Sequence, residues 1–211
     1  MNPKDNIEKL IKEKGVQFRD FRVKCRSAED GEEKDEMVIE GKAAAVDSET
    51  VIYECSDGFE VREVVEKDAF KDADMSDVIF NYNHSGRVYA RTRNKTLGLD
   101  IKEDGLYMTA NLRKDDEGHV QLFNDIKSGC IDRMSFAFTV ADESWEETDD
   151  YSIRRIKAID KVYDVSAVDI PAYDATEISA RSAFEAESER RKAESLKALK
   201  LAKAKYAYFN N

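Results

Sequence analysis

The sequence predicts a mainly β protein with peripheral helices, on three observations. Short segments rich in β-branched and aromatic residues recur between residues 38 and 168, acidic or glycine-containing turns separate them, and apolar spacing of helical period is confined to a few places. Many short strands bounded by turn signals favour an antiparallel sheet or barrel over a repeating βαβ plan. With 211 residues the chain can form one sizeable core plus an appendage, and it needs no disulfide to hold it.

Taken in order, Asn6 to Lys14 sets Ile7, Leu10, Ile11 and Lys14 at helical spacing, which predicts a short amphipathic extension. The charged run Ala28 to Glu36 contains Gly31 and reads as a solvated turn between Phe21-Arg22-Val23 and a strand over Val38 to Val46. Further strands are expected at Val51–Tyr53, Val61–Val65, Leu97–Ile101, Leu106–Leu112, Met134–Val140, Ile153–Ile159 and Val162–Val168. Lys67 to Met75 offers one short helix, and Val120 to Ser128 another that stops at Gly129. The acidic stretches Asp115 to Gly118 and Asp142 to Asp150 read as loops.

Composition changes after Pro171. Residues 181–211 lack Gly and Pro and are dominated by Ala, Leu, Glu and Lys, which is helix-forming chemistry. The expected division is therefore residues 1–27 as extension and first strand, 28–181 as the main domain, and 182–211 as a helical or mobile tail. In that tail Leu196, Leu199, Lys203 and Tyr206 share one stripe, widened by Leu201, Ala204 and Tyr208. Such a stripe suits docking on a partner helix or another protomer, with the neighbouring lysines steering toward an acidic partner.

Charge and cysteine usage narrow the class. A net charge of -11 with 37% charged residues disfavours non-specific nucleic-acid binding. Cys25, Cys55 and Cys130 are odd in number and form no closely spaced pair, which favours a reducing compartment and argues against structural zinc. No apolar run approaches the roughly 20 residues that span a bilayer. The reading is a cytosolic protein, or one enclosed in an assembly that forms in the cytosol, without membrane contact.

Three places carry residues suited to acyl-transfer chemistry. Of the two histidines, His84 sits where the apolar Phe80-Asn81-Tyr82 gives way to Asn83-His84-Ser85-Gly86, while His119 follows an acidic turn. A strand end beside a loop holds a base firmly and keeps it accessible, so His84 is the better candidate. In Met134-Ser135-Phe136-Ala137-Phe138-Thr139, alternation sends the large apolar residues to one face and Ser135, Ala137 and Thr139 to the other, leaving room there for a peptide. In Tyr163-Asp164-Val165-Ser166-Ala167-Val168, Asp164 shares a face with Ser166 and is placed to orient an imidazole. Asp169 and Asp174 are alternatives to it. Each group also has an ordinary structural reading on these residues alone.

The order of these landmarks resembles the prohead proteases of tailed double-stranded DNA phages. It runs from Gly41-Lys42-Ala43-Ala44-Ala45-Val46 through Ala69-Phe70, Asn83-His84-Ser85 and Ala90 to Leu97, then Gly105-Leu106 and Met134 to Phe138. It ends at Asp164 to Val168 continuing to Pro171-Ala172-Tyr173, covering roughly residues 38–178. The resemblance implies Ser135 as nucleophile, His84 as general base and Asp164 as the orienting acid. Two departures stand out: Asp164 occupies a position where the family usually carries Glu, and Asp68 precedes Ala69-Phe70 where it commonly carries Gly.

What the resemblance implies is a serine endopeptidase that cleaves the capsid scaffold or the scaffold-like region of the major capsid protein, and also its own chain, during procapsid maturation. It implies a compact antiparallel β-barrel like that of herpesvirus assemblins, allows a homodimer, and requires neither metal nor organic cofactor. Its place of action is the assembling procapsid in the host cytoplasm. Two alternatives are carried with it, a noncatalytic capsid-assembly or scaffolding module and a cysteine hydrolase using Cys130.

Overall fold

Strand alternation dominates the computed structural model, which describes residues 11–26, 37–54, 58–169, 189–197 and 200. Its ten-stranded sheet comprises β1 (Gln17–Arg26), β2 (Met37–Ala45), β3 (Thr50–Glu54), β4 (Glu60–Val65), β5 (Ile79–Tyr82) and β6 (Ser85–Arg91), then β7 (Leu97–Lys102), β8 (Gly105–Leu112), β9 (Arg133–Glu147) and β10 (Tyr151–Val168). The main path is β3-β4-β10-β9-β1-β2-β8-β7, with β5 and β6 branching from β10. The helix packed on this sheet, α1 (Glu117–Lys127), is capped by the Asp116 carboxylate, which accepts from the N–H of Gly118 at 3.0 Å. Its Leu122, Phe123 and Ile126 pack into the same core as Ile39, Leu106, Met108, Phe136, Phe138, Ile156 and Val165. Each such side chain stabilises the fold by about 1.5–3 kcal/mol on burial.

The expected closed antiparallel barrel is not what these ladders make. β10 pairs in parallel with β4 through Tyr151–Ile156 and again with β5 through Asp164–Ala167. Four register shifts against β9, between Ile156 and Asp164, bend this long strand so that its halves serve different neighbours. The crossover joining β4 to β5 carries a 3-10 turn, Lys67–Phe70, whose Ala69 and Phe70 are buried in the core. The path then ends at β3 and β7, which do not pair with each other, so among the described residues the sheet is not closed into a barrel. Val51 on β3 and Ile101 on β7 are exposed, as rim positions are.

A second difference concerns the acidic stretch Asp142–Asp150. It is mostly strand, because β9 runs on to Glu147 and turns only around Thr148, whose N–H donates to the Tyr151 carbonyl at 2.9 Å. Its charges are met across the hairpin by Arg154, paired with Glu143, and by Arg155, whose Nε donates to Glu146 at 2.9 Å. For the same reason the two segments expected at 153–159 and 162–168 are one strand.

Residues 11–26 are tied into the sheet. β1 lies between β2 and β9, and Ile11, Val16 and Phe18 pack with Ala137 and Tyr163 on the face opposite the main core. Of the expected helix over residues 6–14, residues 11–14 are helical and the rest lies outside the described residues. Residues 189–197 are helical, with Leu196 exposed and Arg191 paired with Glu147, while Leu199 and residues 201–211 of the tail stripe lie outside the described residues. Among the described residues no helix is long and apolar enough to cross a membrane.

Candidate active site

The site forms on the second face of β9 and β10. Met134, Phe136 and Phe138 are fully buried in the main core, so alternation turns Ser135 and Ala137 to the opposite face. Ser135 stands directly across from Ser166, and Ala137 across from Asp164. Directly opposed residues of an antiparallel pair project from the same face with Cβ atoms about 4.5–5.5 Å apart, so Ser135, Ser166 and Asp164 share one small patch.

The imidazole reaches that patch from a hairpin. Tyr82 pairs with Ser85, which leaves Asn83-His84 as a two-residue loop, and both residues have φ 51°. Positive φ at both loop positions defines the turn whose twist suits a tight hairpin, and its preferred sequence is Asn-Gly. Here histidine occupies the glycine position. A side chain held in the left-handed region carries conformational strain, which structures retain mainly where the geometry is used. The hairpin is pinned to β10 by the parallel β5 ladder and by the Asn83 N–H, which donates to the Ala167 carbonyl at 2.9 Å.

His84 Nδ1 lies 2.7 Å from Asp164 Oδ1, and both residues are buried. A register shift lies between Val162 and Asp164 on β10, and the aspartate side chain reaches the ring without a glutamate's extra methylene. A proton shared on the Nδ1 side leaves Nε2 as the acceptor nitrogen. His84 Nε2 and Ser135 Oγ are both buried without a hydrogen-bond partner among the described residues, so they do not bond each other in the unbound chain. One is an acceptor lacking a donor and the other a donor lacking an acceptor. Phe18 packs edge-on against the imidazole, with ring centroids 4.6 Å apart.

The open space expected above Ser135 is not present. Ser135 is 0% and His84 5% exposed, and Phe18, Val16 and Ile11 supply part of the apolar cover on this face.

Among the alternatives, Asp169 is exposed and accepts from the Tyr82 hydroxyl at 2.8 Å, and Asp174 lies outside the described residues. His119 accepts from the Arg113 N–H at 3.1 Å, packs against Tyr89, and has its pKa pushed down by burial, which fits a structural neutral imidazole. Cys130 is exposed in the turn after α1. Asp68, in the position where glycine was expected, lies in the 3-10 turn without positive φ, so no glycine is needed there. Sequence reasoning passed over the hairpin around His84. Its signal was the two-residue Asn-X spacing between Tyr82 and Ser85.

A family model described as caudovirus prohead serine protease matches residues 21–191. Neither a curated protein nor a solved structure gives a significant match to the chain.

Proposed function

The chain belongs to the caudovirus prohead serine protease family, and from that premise we propose that Ser135, His84 and Asp164 are its catalytic triad. The observation that carries this reading is the 2.7 Å His84–Asp164 contact on the sheet face that also holds the buried, unpartnered Ser135 hydroxyl. As the Ser135 oxygen attacks a peptide carbonyl, its proton passes to His84 Nε2 and the bond to the carbonyl carbon forms. Asp164 holds the ring in the correct tautomer and stabilises the imidazolium. His84 then gives the proton to the leaving amine as the C–N bond breaks. Water, deprotonated by the same nitrogen, hydrolyses the acyl-enzyme and restores the serine.

A serine protease of the phage prohead meets capsid or scaffold proteins as its substrates. The finer proposal is that it cuts the scaffold or the scaffold-like region of the major capsid protein, and then its own chain, inside the procapsid in the host cytoplasm. Kinship with herpesvirus assemblins and a homodimer belong to the same proposal, as does an assembly role for residues 182–211. A chain ending near Arg181 is then expected to keep peptide turnover and to show reduced incorporation into procapsids.

The test is co-expression with the cognate capsid and scaffold proteins, followed by the sizes of the products. Cleavage is expected with the wild type and absent with Ser135→Ala and His84→Ala. Cleavage that persists in Ser135→Ala would refute the triad, and assembly promoted equally by both forms with no cleavage would establish the noncatalytic alternative.

A further inference from the structure

Behind the three residues of the proposed triad lies a buried polar group that the reaction itself does not use. Ser166 is 0% and Asn81 4% exposed, and the two pair directly across the parallel β5–β10 ladder. The Ser166 hydroxyl accepts from the backbone N–H of His84 at 3.0 Å. Its single proton faces two acceptors, Asn81 Oδ1 in close contact and Asp164 Oδ1 at 3.3 Å. One oxygen therefore touches the backbone of the base and stands beside the acid that orients its ring.

We infer that Ser166, with Asn81 behind it, is a positioning residue for the base. This rests on the triad reading above. The physical need is set by the hairpin: His84 occupies a left-handed conformation that side-chain-bearing residues disfavour, and its N–H points into a buried region where an unmet donor is costly. Ser166 Oγ answers that donor and so fixes the origin of the side chain. Asn81 Oδ1 accepts the hydrogen bond of the hydroxyl, which turns a lone pair toward His84. An alanine at 166 would leave both the His84 N–H and Asn81 Oδ1 without this partner. The loop would be free to rotate, and Nε2 would leave the line to Ser135. Misplacement on the order of 1 Å costs about 100-fold in rate.

The test follows labelling of Ser135 by a small fluorophosphonate in the full chain, at a temperature where circular dichroism shows each variant folded. Ser166→Ala is expected to slow the maximal labelling rate by roughly 10- to 100-fold. The reagent concentration for half-maximal rate should be unchanged, and the low-field proton resonance of His84 Nδ1–H should broaden. Asn81→Ala, which keeps the serine but releases its proton, is expected to slow labelling by a smaller factor, and Ser166→Thr to regain rate by restoring the hydroxyl. Wild-type labelling and an unaltered resonance in folded Ser166→Ala would overturn the positioning role. Should that variant not fold, a wild-type rate in Asn81→Ala would overturn it equally. Labelling that survives in Ser135→Ala would instead overturn the triad beneath it.

Discussion

Replacing Glu63 by glutamine is expected to cost about 3–5 kcal/mol of folding stability, the range for breaking a buried ion pair from one side. Glu63 is 3% exposed on β4 and receives both Arg19 of β1 and Arg154 of β10, the latter through Nη1 at 3.1 Å. Arg154 also pairs with Glu143 of β9, so Glu63 stands between two guanidinium groups and Arg154 between two carboxylates. Glutamine keeps the shape but removes the buried negative charge that both arginines meet and turns amide N–H toward a guanidinium donor. For a chain of this length each kcal/mol moves the melting temperature by about 2–4 °C, so a fall of roughly 6–20 °C is expected. Thermal and urea unfolding followed by circular dichroism measure it. The two arginines hold the Glu63 carboxyl below its usual value of 4.5 against the opposing effect of burial. A depressed carboxylate pKa contributes stability that is present above its unfolded value and lost as pH falls toward the folded one. The wild type should therefore lose stability below about pH 4.5 more steeply than Glu63→Gln. A loss under about 1 kcal/mol with parallel acid limbs would refute this account of the cluster.

Three further outcomes follow from particular contacts. Gly105→Ala should lower stability by about 2 kcal/mol or more in urea titration, since a Cβ at that φ of 154° would sit 2.0 Å from the Ala44 carbonyl oxygen. A Gly105→Ala chain as stable as the wild type would show that the Gly105–Ala45 register is wrong. Burial lowers the His119 pKa from 6.5, so the unfolded chain takes up a proton that the folded chain refuses, and this part of the stability is lost as pH falls below 6.5. His119→Gln should flatten that stretch of the urea-midpoint profile, whereas an unchanged slope would place the buried neutral imidazole elsewhere. Cys130→Ala should retain full turnover of capsid substrate, and a loss matching that of Ser135→Ala would restore the thiol as a candidate.

Legibility divided along the range of the interactions. Met134, Phe136 and Phe138 against Ser135 and Ala137 could be read from alternation alone, because a strand's faces are fixed locally. The same rule placed Asp164 and Ser166 together, as their contact bears out. What alternation cannot carry is partner identity. The parallel pairing of β10 with β4 and β5 depends on crossover paths and on register shifts that no local pattern announces, so an open mixed sheet read as a closed barrel. Asp142 to Glu147 looked like a solvated loop because the arginines paired with Glu143 and Glu146 come from residues 154 and 155 of the following strand. The cover over Ser135 was equally hidden, since Phe18 arrives from β1, far from both Ser135 and His84 in the chain.

The central claim is that Ser135 is a nucleophile activated by His84, and a mass measurement reaches it most directly. The folded chain is treated with a small fluorophosphonate, its intact mass is recorded, and the modified peptide is sequenced. The account predicts one adduct per chain, on Ser135, that fails to form in His84→Ala. A folded wild-type chain that cleaves its capsid substrate while carrying the adduct on another residue, or that labels equally with and without His84, would contradict it.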